Sequence, residues 1–212
     1  MGPYAFAGQY MQTPVPSDDS MFSPDKIQII DTVPENEIAK KIRYWDKAGS
    51  YNTGAYTVGL LMYRLKGDKK WVVADVVRGQ WEAARREQII KRTAEMDGTD
   101  VDVWVEQEGG SGGKESAQNT IANLAGFNVR ADRPTANKTG DAKATRAGPF
   151  AGQVNAGNVK MLRGAWNREY NSELRYFPNS KYKDQVDASS GAFNKLAGHR
   201  KAGAWGTGRL YK

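Results

Sequence analysis

Four acidic side chains stand where folding would bring them together. Asp46 sits inside the apolar, strand-like segment IRYWDKA (42–48), where Ile42, Tyr44 and Asp46 share one face. A carboxylate in mid-strand is costly unless something positive meets it. Glu106 closes VDVWVEQE (101–108), just ahead of a glycine-rich stretch, and Glu108 competes for the same role. Asp184 begins a helical pattern, and Asp187 follows three residues later on the same face. If the strands of Asp46 and Glu106 are neighbours, the two acids meet at one edge of a sheet. The last helix then carries Asp184, with Asp187, to the same point. Carboxylates so gathered repel one another, and oxygen-only ligation suits Mg²⁺ or Mn²⁺. Two such ions about 4 Å apart activate water and stabilise the leaving oxygen in phosphodiester cleavage. The plainer readings are an ordinary strand-end carboxylate for Glu106, a helix cap for Asp184 and Asp187, and a structural acid for Asp75.

Composition removes other chemistries. With no Cys, disulfides, zinc-thiolate sites and thiol nucleophiles are excluded, and a lone His199 leaves no multi-histidine centre. GGSGGK (109–114) is not a phosphate-binding loop of the G-x-x-x-x-G-K-[ST] kind: the first glycine position holds Glu108, and Lys114 precedes Glu115. No apolar run approaches about 18 residues, so no membrane span is expected, and the start lacks the pattern of a signal peptide. The net charge is +7, unevenly spread. Residues 1–40 carry −4, whereas 109–165 hold eight bases and three acids. Such a surplus favours phosphate backbones through counterion release. Lys143, Arg146, Lys160 and Arg163, set among glycines, are the candidate phosphate contacts, with Lys114 beside them. Trp45, Trp71, Trp104 and Trp166 are read as core residues, not stacking platforms.

The elements that position these groups follow from periodicity. Segments 42–48, 55–65 and 71–77 read as a strand meander, with a turn at Gly67-Asp68. A helix is expected over 82–96, with i,i+4 pairs Glu82/Arg86 and Glu87/Lys91. A strand follows at 101–108, with Val101, Val103 and Val105 on one face. The glycine loop then opens a helix near 115–125, and strands are expected at 127–131 and 158–162. Between them, 134–157 reads as a polar loop with a short helix. Helices close the pattern at 165–173 and 184–197, the last stopped by Gly198. The crossover helix should set the 101–106 strand parallel to a neighbour, giving a mixed sheet with helices on its faces. The first 40 residues, with prolines and no sustained period, read as a leader rather than core, either an interdomain linker or a packed arm.

RYWDKA (43–48), VWVEQEGGSGGK (103–114), GDAKATRAGPFAGQVNAGNVKML (140–162) and YKDQVDASSGAF (182–193), in this order, resemble the nuclease domain of large terminase subunits of tailed bacteriophages. YAFAGQYMQTPVP resembles the stretch that joins that family's ATPase domain to its nuclease. The likeness spans about 1–197. It implies an α/β, ribonuclease H-like fold: a mixed β-sheet flanked by α-helices. Residues 1–40 would be the arm from an ATPase domain, 41–198 the nuclease domain and 199–212 a basic tail. The implied activity is metal-dependent endonucleolytic cutting of concatemeric double-stranded viral DNA during packaging, in the host cytoplasm, with little sequence preference. The implied partners are double-stranded DNA, the ATPase domain, a small terminase subunit and a portal. Carried onto this chain, Asp46 bridges two Mg²⁺ or Mn²⁺ ions, and Glu106 and Asp184 complete the sites with Asp187 nearby. The third acid falls in KDQVDA as Asp184 or Asp187, because Lys183-Asp184-Gln185 departs from the family's frequent His-Asp-Asp. Lys143 to Ala147 is implied as a DNA or structural contact. The rival expectations are a non-catalytic DNA-binding module and a resolvase-like nuclease of the same fold.

Overall fold

The computed structural model describes residues 20–49, 54–67, 70–134 and 142–198. The strands are β1 (Gln28–Ile30), β2 (Ile38–Asp46), β3 (Thr57–Leu65), β4 (Trp71–Gly79), β5 (Asp102–Glu106), β6 (Val129–Asp132) and β7 (Val159–Leu162). The helices are α1 (Ala83–Asp97), α2 (Gly110–Asn123), α3 (Ala142–Asn155), α4 (Asn167–Tyr176) and α5 (Asp184–Ala197). One mixed sheet runs in the order β1-β7-β4-β3-β2-β5-β6. The meander β2-β3-β4 is antiparallel, while β5 lies parallel to β2 and β6 parallel to β5. The expected parallel pairing after the crossover helix is therefore present, with Trp45 opposite Val105.

Alternation along the strands divides the core. Ile42, Tyr44, Val58, Leu60 and Met62 face α3 and α5, meeting Phe150, Val154, Val186, Phe193 and Leu196. Trp45, Val103 and Val105 face the other way, onto Ile90 and Ala94 of α1 and Leu124 just past α2. Arg43 is buried on this second side, where its fork holds both Asp97 oxygens at 2.7 Å and reaches Asp75 at 2.9 Å. Asp75 is thus the structural acid the sequence suggested. Trp45 and Trp71 are buried, and Trp104 and Trp166 pack against the core.

Four expectations change. Residues 20–40, expected outside the core, belong to it: Phe22 and Ile27 are buried, and β1 pairs with β7 at the sheet edge. Long-range bonds tie this segment down, including Ser23 N–H to Asn155 Oδ1 (2.8 Å) and Ser20 Oγ to the Arg175 carbonyl (2.7 Å). The glycine stretch is not a loop ahead of a helix but the first turn of α2. A Cβ at Gly113 would lie 2.3 Å from the Glu108 carbonyl oxygen, so only glycine lets the turn fold back on that strand end. The stretch at 134–157 contains a 14-residue helix, α3, despite Pro149 inside it. Asp46 is the last residue of β2 rather than a mid-strand acid. Asp68 and His199 lie outside the described residues.

Candidate metal and DNA site

Three parallel strands, β2, β5 and β6, end side by side, and each ends in an acid. Asp46 lies one residue past the Trp45–Val105 pairing, and Glu106 is registered with Asp132. By alternation all three acids point to the face covered by α3 and α5. Between strand ends and helices lies a cavity of about 750 Å³. Asp46, Glu106, Asp132 and Asp187 line it, together with Lys143, Arg146 and Lys195.

Helix α5 is set by a small residue. Its Gly191 lies over the Tyr44 ring, and a Cβ there would stand 2.3 Å from a ring carbon. This close approach brings the first turn of α5, with Asp184 and Asp187, toward Asp46. Asp184 is not the helix cap expected from sequence; that position belongs to Lys183. Instead, Asp184 Oδ2 accepts the Tyr56 N–H at 3.0 Å, fixing the carboxylate beside the start of β3.

Electrostatics single out Asp46. Burial raises its carboxyl well above the usual range, and Glu106, Asp187 and Asp184 raise it further against the pull of Lys143. Burial likewise raises Asp187, even though Lys143 is paired with it. The Lys143 ammonium is itself held above its ordinary value: burial is the largest effect and opposes its charge, but the Asp187 hydrogen bond and the negative charges of Asp187, Asp46 and Asp184 together outweigh it. Arg146 forks Glu106, with Nη1 to Oε1 at 3.0 Å and Nη2 to Oε2 at 2.7 Å, and also donates to Tyr44 Oη at 2.7 Å. The Tyr44 hydroxyl stands 2.8 Å from Asp132 Oδ2 and 3.0 Å from Glu106 Oε2. Burial, followed by Glu106, pushes the phenol far above its ordinary range, so it remains a donor. Lys195 completes the ring by pairing with Asp132 while lying over Trp104, 4.6 Å from the ring centroid.

The donor set is all oxygen, which suits a hard divalent cation. Among the described residues, however, no three acids stand close enough to share one ion as placed. Glu106 and Asp187 give to Arg146 and Lys143 the same lone pairs a metal would use. Asp46, Glu106 and Asp187 are thus brought to one cavity, with Asp184 among the charges acting on Asp46.

Of the expected phosphate contacts, Lys143 and Arg146 line the cavity, whereas Lys114, Lys160 and Arg163 do not. Lys160 and Arg163 are in or beside β7, three strands from β2, and Arg163 pairs with Asp31 at 2.7 Å. Glu108 also lines the cavity but is exposed on its rim. Sequence reasoning missed Tyr44, Asp132 and Lys195. For Asp132 a signal existed, an acid closing the apolar run FNVRAD; for the other two, only the fold supplies the partners.

A family model described as the terminase RNaseH-like domain matches residues 43–196. Solved structures share the fold. The phage P22 large terminase nuclease domain superposes with a TM-score of 0.62 at 12% identity, covering 86% of this chain and 95% of that one. The nuclease domain of Thermus phage P74-26 gives 0.56 at 14%, covering 85% and 97%. That of bacteriophage SPP1, solved with bound Mn, gives 0.54 at 9%, covering 82% and 99%. A search of curated protein sequences finds no match.

Proposed function

Because the chain belongs to the terminase RNaseH-like domain family, we propose that it is a metal-dependent endonuclease that cuts concatemeric double-stranded viral DNA during genome packaging. The observation that carries this reading is geometric: Asp46, Glu106 and Asp132 end three adjacent parallel strands and, with Asp187, line one cavity, where Glu106, Asp187 and Asp184 raise the Asp46 carboxyl. Such an arrangement is costly in any protein that does not use it to hold cations.

Asp46, Glu106, Asp184 and Asp187 would hold two Mg²⁺ or Mn²⁺ ions, as the Mn-bound relative supports. When bound, these ions lower the pKa of an attacking water and neutralise the leaving oxygen. The chain's own residues supply the frame. The Tyr44 hydroxyl orients the Glu106 carboxylate. Tyr56 fixes Asp184 through a backbone N–H. Lys143 and Arg133, exposed at the cavity rim, are placed to meet backbone phosphates. Phosphate contacts position DNA without reading bases, so cutting should show little sequence preference. An ATPase domain, a small terminase subunit and a portal would be the partners, and the host cytoplasm the place.

The test is plasmid cleavage in Mn²⁺. The wild-type protein should nick and linearise supercoiled DNA, and EDTA should stop it. Asp46→Asn should abolish cutting while its circular dichroism spectrum remains native. Cutting by that variant at the wild-type rate refutes the mechanism. DNA binding without cleavage by the wild-type protein, unaffected by EDTA, would favour a non-catalytic binding module.

A further inference from the structure

The first turn of α5 carries two of the four site acids, yet its capping residue, Lys183, makes no side-chain cap. The missing acceptor comes from another helix. Glu173 of α4 is buried, 5% exposed, and its Oε1 accepts the backbone N–H of Gln185 at 2.6 Å and of Val186 at 3.0 Å. Its Oε2 accepts the Gln185 side-chain amide at 2.7 Å. One carboxylate thus satisfies two of the free N–H groups at the start of a helix. It does so between Asp184 and Asp187, from the side of α5 away from the cavity.

We infer that Glu173 is a positioning residue for the metal site: it holds the first turn of α5 so that Asp184 and Asp187 face Asp46. The inference rests on the proposed function and deepens it. Glu173 does not line the cavity and touches no site acid, so its influence on cations can pass only through the backbone it anchors. The role requires a buried acceptor rather than a charge. Burial raises the Glu173 carboxyl above its usual range, with the Gln185 and Val186 hydrogen bonds pulling against it.

That distinction makes a conservative variant informative. The Gln185 Oε1 is buried and has no hydrogen-bond partner among the described residues. In Glu173→Gln, the new amide oxygen can keep both backbone N–H groups, and Gln185 can turn its amide so that the orphan oxygen accepts from the new NH₂. Glu173→Ala removes every acceptor.

The experiment measures Mn²⁺ binding calorimetrically, without DNA, well below each variant's melting temperature, together with hydrogen exchange of the α5 amides. Val101→Ala, just ahead of β5 at the end opposite the site and in a small core cluster with Leu61 and Ala74, serves as a destabilised control. Glu173→Ala should weaken Mn²⁺ binding about tenfold, the size of a lost cap, and speed exchange at residues 185–187. Glu173→Gln should restore binding to within about threefold of wild type, and Val101→Ala should leave it unchanged despite a lower melting temperature. Native Mn²⁺ affinity in folded Glu173→Ala overturns the inference, as does equal weakening in Val101→Ala. Wild-type protein that binds no Mn²⁺ overturns the metal reading itself and this role with it, while the exchange data separately establish whether Glu173 holds the turn.

Discussion

Replacing Asp46 by Asn should stabilise the metal-free protein, and the size follows from the geometry. Asp46 and Glu106 end adjacent parallel strands one residue beyond a registered pair, so their backbones lie one strand spacing apart, about 5 Å. At that separation and an effective dielectric near 20, two unit charges repel by about 3 kcal/mol. Asp187 and Asp184 add to the repulsion, and Lys143 returns part of it. A net relief of about 2–3 kcal/mol at pH 8 corresponds to a gain of about 4–12 °C in melting temperature for a domain of this size. The sign can be checked through pH. A carboxyl whose pKa is raised in the folded state contributes stability that is fully present below its unfolded value, near 4. That contribution is lost as pH rises through the folded value. The wild-type protein should therefore fall behind Asp46→Asn as pH rises from about 4 to 8, and the two should converge in acid. Calorimetric melting in EDTA across that range measures the gap. Adding Mn²⁺ should raise the wild-type melting temperature and leave the variant unmoved, because only the former keeps the central ligand. If Asp46→Asn melts at or below wild type in EDTA at pH 8, or if the gap ignores pH, the repulsion argument fails.

Other substitutions test the frame around the acids. Tyr44→Phe removes the hydroxyl shared by Asp132, Glu106 and Arg146 and should cost about 1–3 kcal/mol in urea unfolding. It should also weaken Mn²⁺ binding, since Glu106 loses the hydroxyl that orients it. Gly191→Ala drives a methyl group into the Tyr44 ring and should destabilise by about 1–3 kcal/mol, read from the same unfolding curves. An unchanged midpoint there would mean that α5 does not bear on Tyr44. Cruciform and linear duplexes should be cut at similar rates, which a resolvase-like enzyme would not do.

What could be read from sequence was local. The alternation in β2 and β5 gave the faces correctly, because each strand buries both sides against different helices. Helix α5 was legible to its ends, from Asp184 to Gly198. Helix α3 was not: glycines and Pro149 argue against a helix, and only Ala147, Phe150, Ala151 and Val154 at helical spacing support one. Tertiary burial of that stripe outweighs the local preference. Phe22 and Ile27 stand alone among prolines and acids, with no period to mark them; Asn155 and Arg175, more than a hundred residues away, hold them in place. The site divides the same way. Asp46, Glu106 and Asp187 are acids at element ends and could be found by position. Asp132, Tyr44 and Glu173 act through partners distant in sequence, which no spacing announces.

The cavity's charge pattern explains why its two candidate roles belong together. Each outer acid carries its own cation: Glu106 has Arg146, Asp187 has Lys143 and Asp132 has Lys195. Burial, then Glu106, Asp187 and Asp184, raise Asp46 against the pull of Lys143, so a divalent ion held there would relieve the most repulsion. Were Glu106 and Asp187 to hold a divalent ion, their oxygens would no longer be free for Arg146 and Lys143. Both bases sit on α3, one turn apart, and once displaced they are strong donors at the mouth of a cavity without their former acceptors. A DNA phosphate is the acceptor that restores their bonds. On the proposed function, metal and DNA would then favour each other's binding through one helix, and by linkage the favour would be mutual. The basic residues that pair with the acids in the metal-free protein would be the ones freed to hold the substrate.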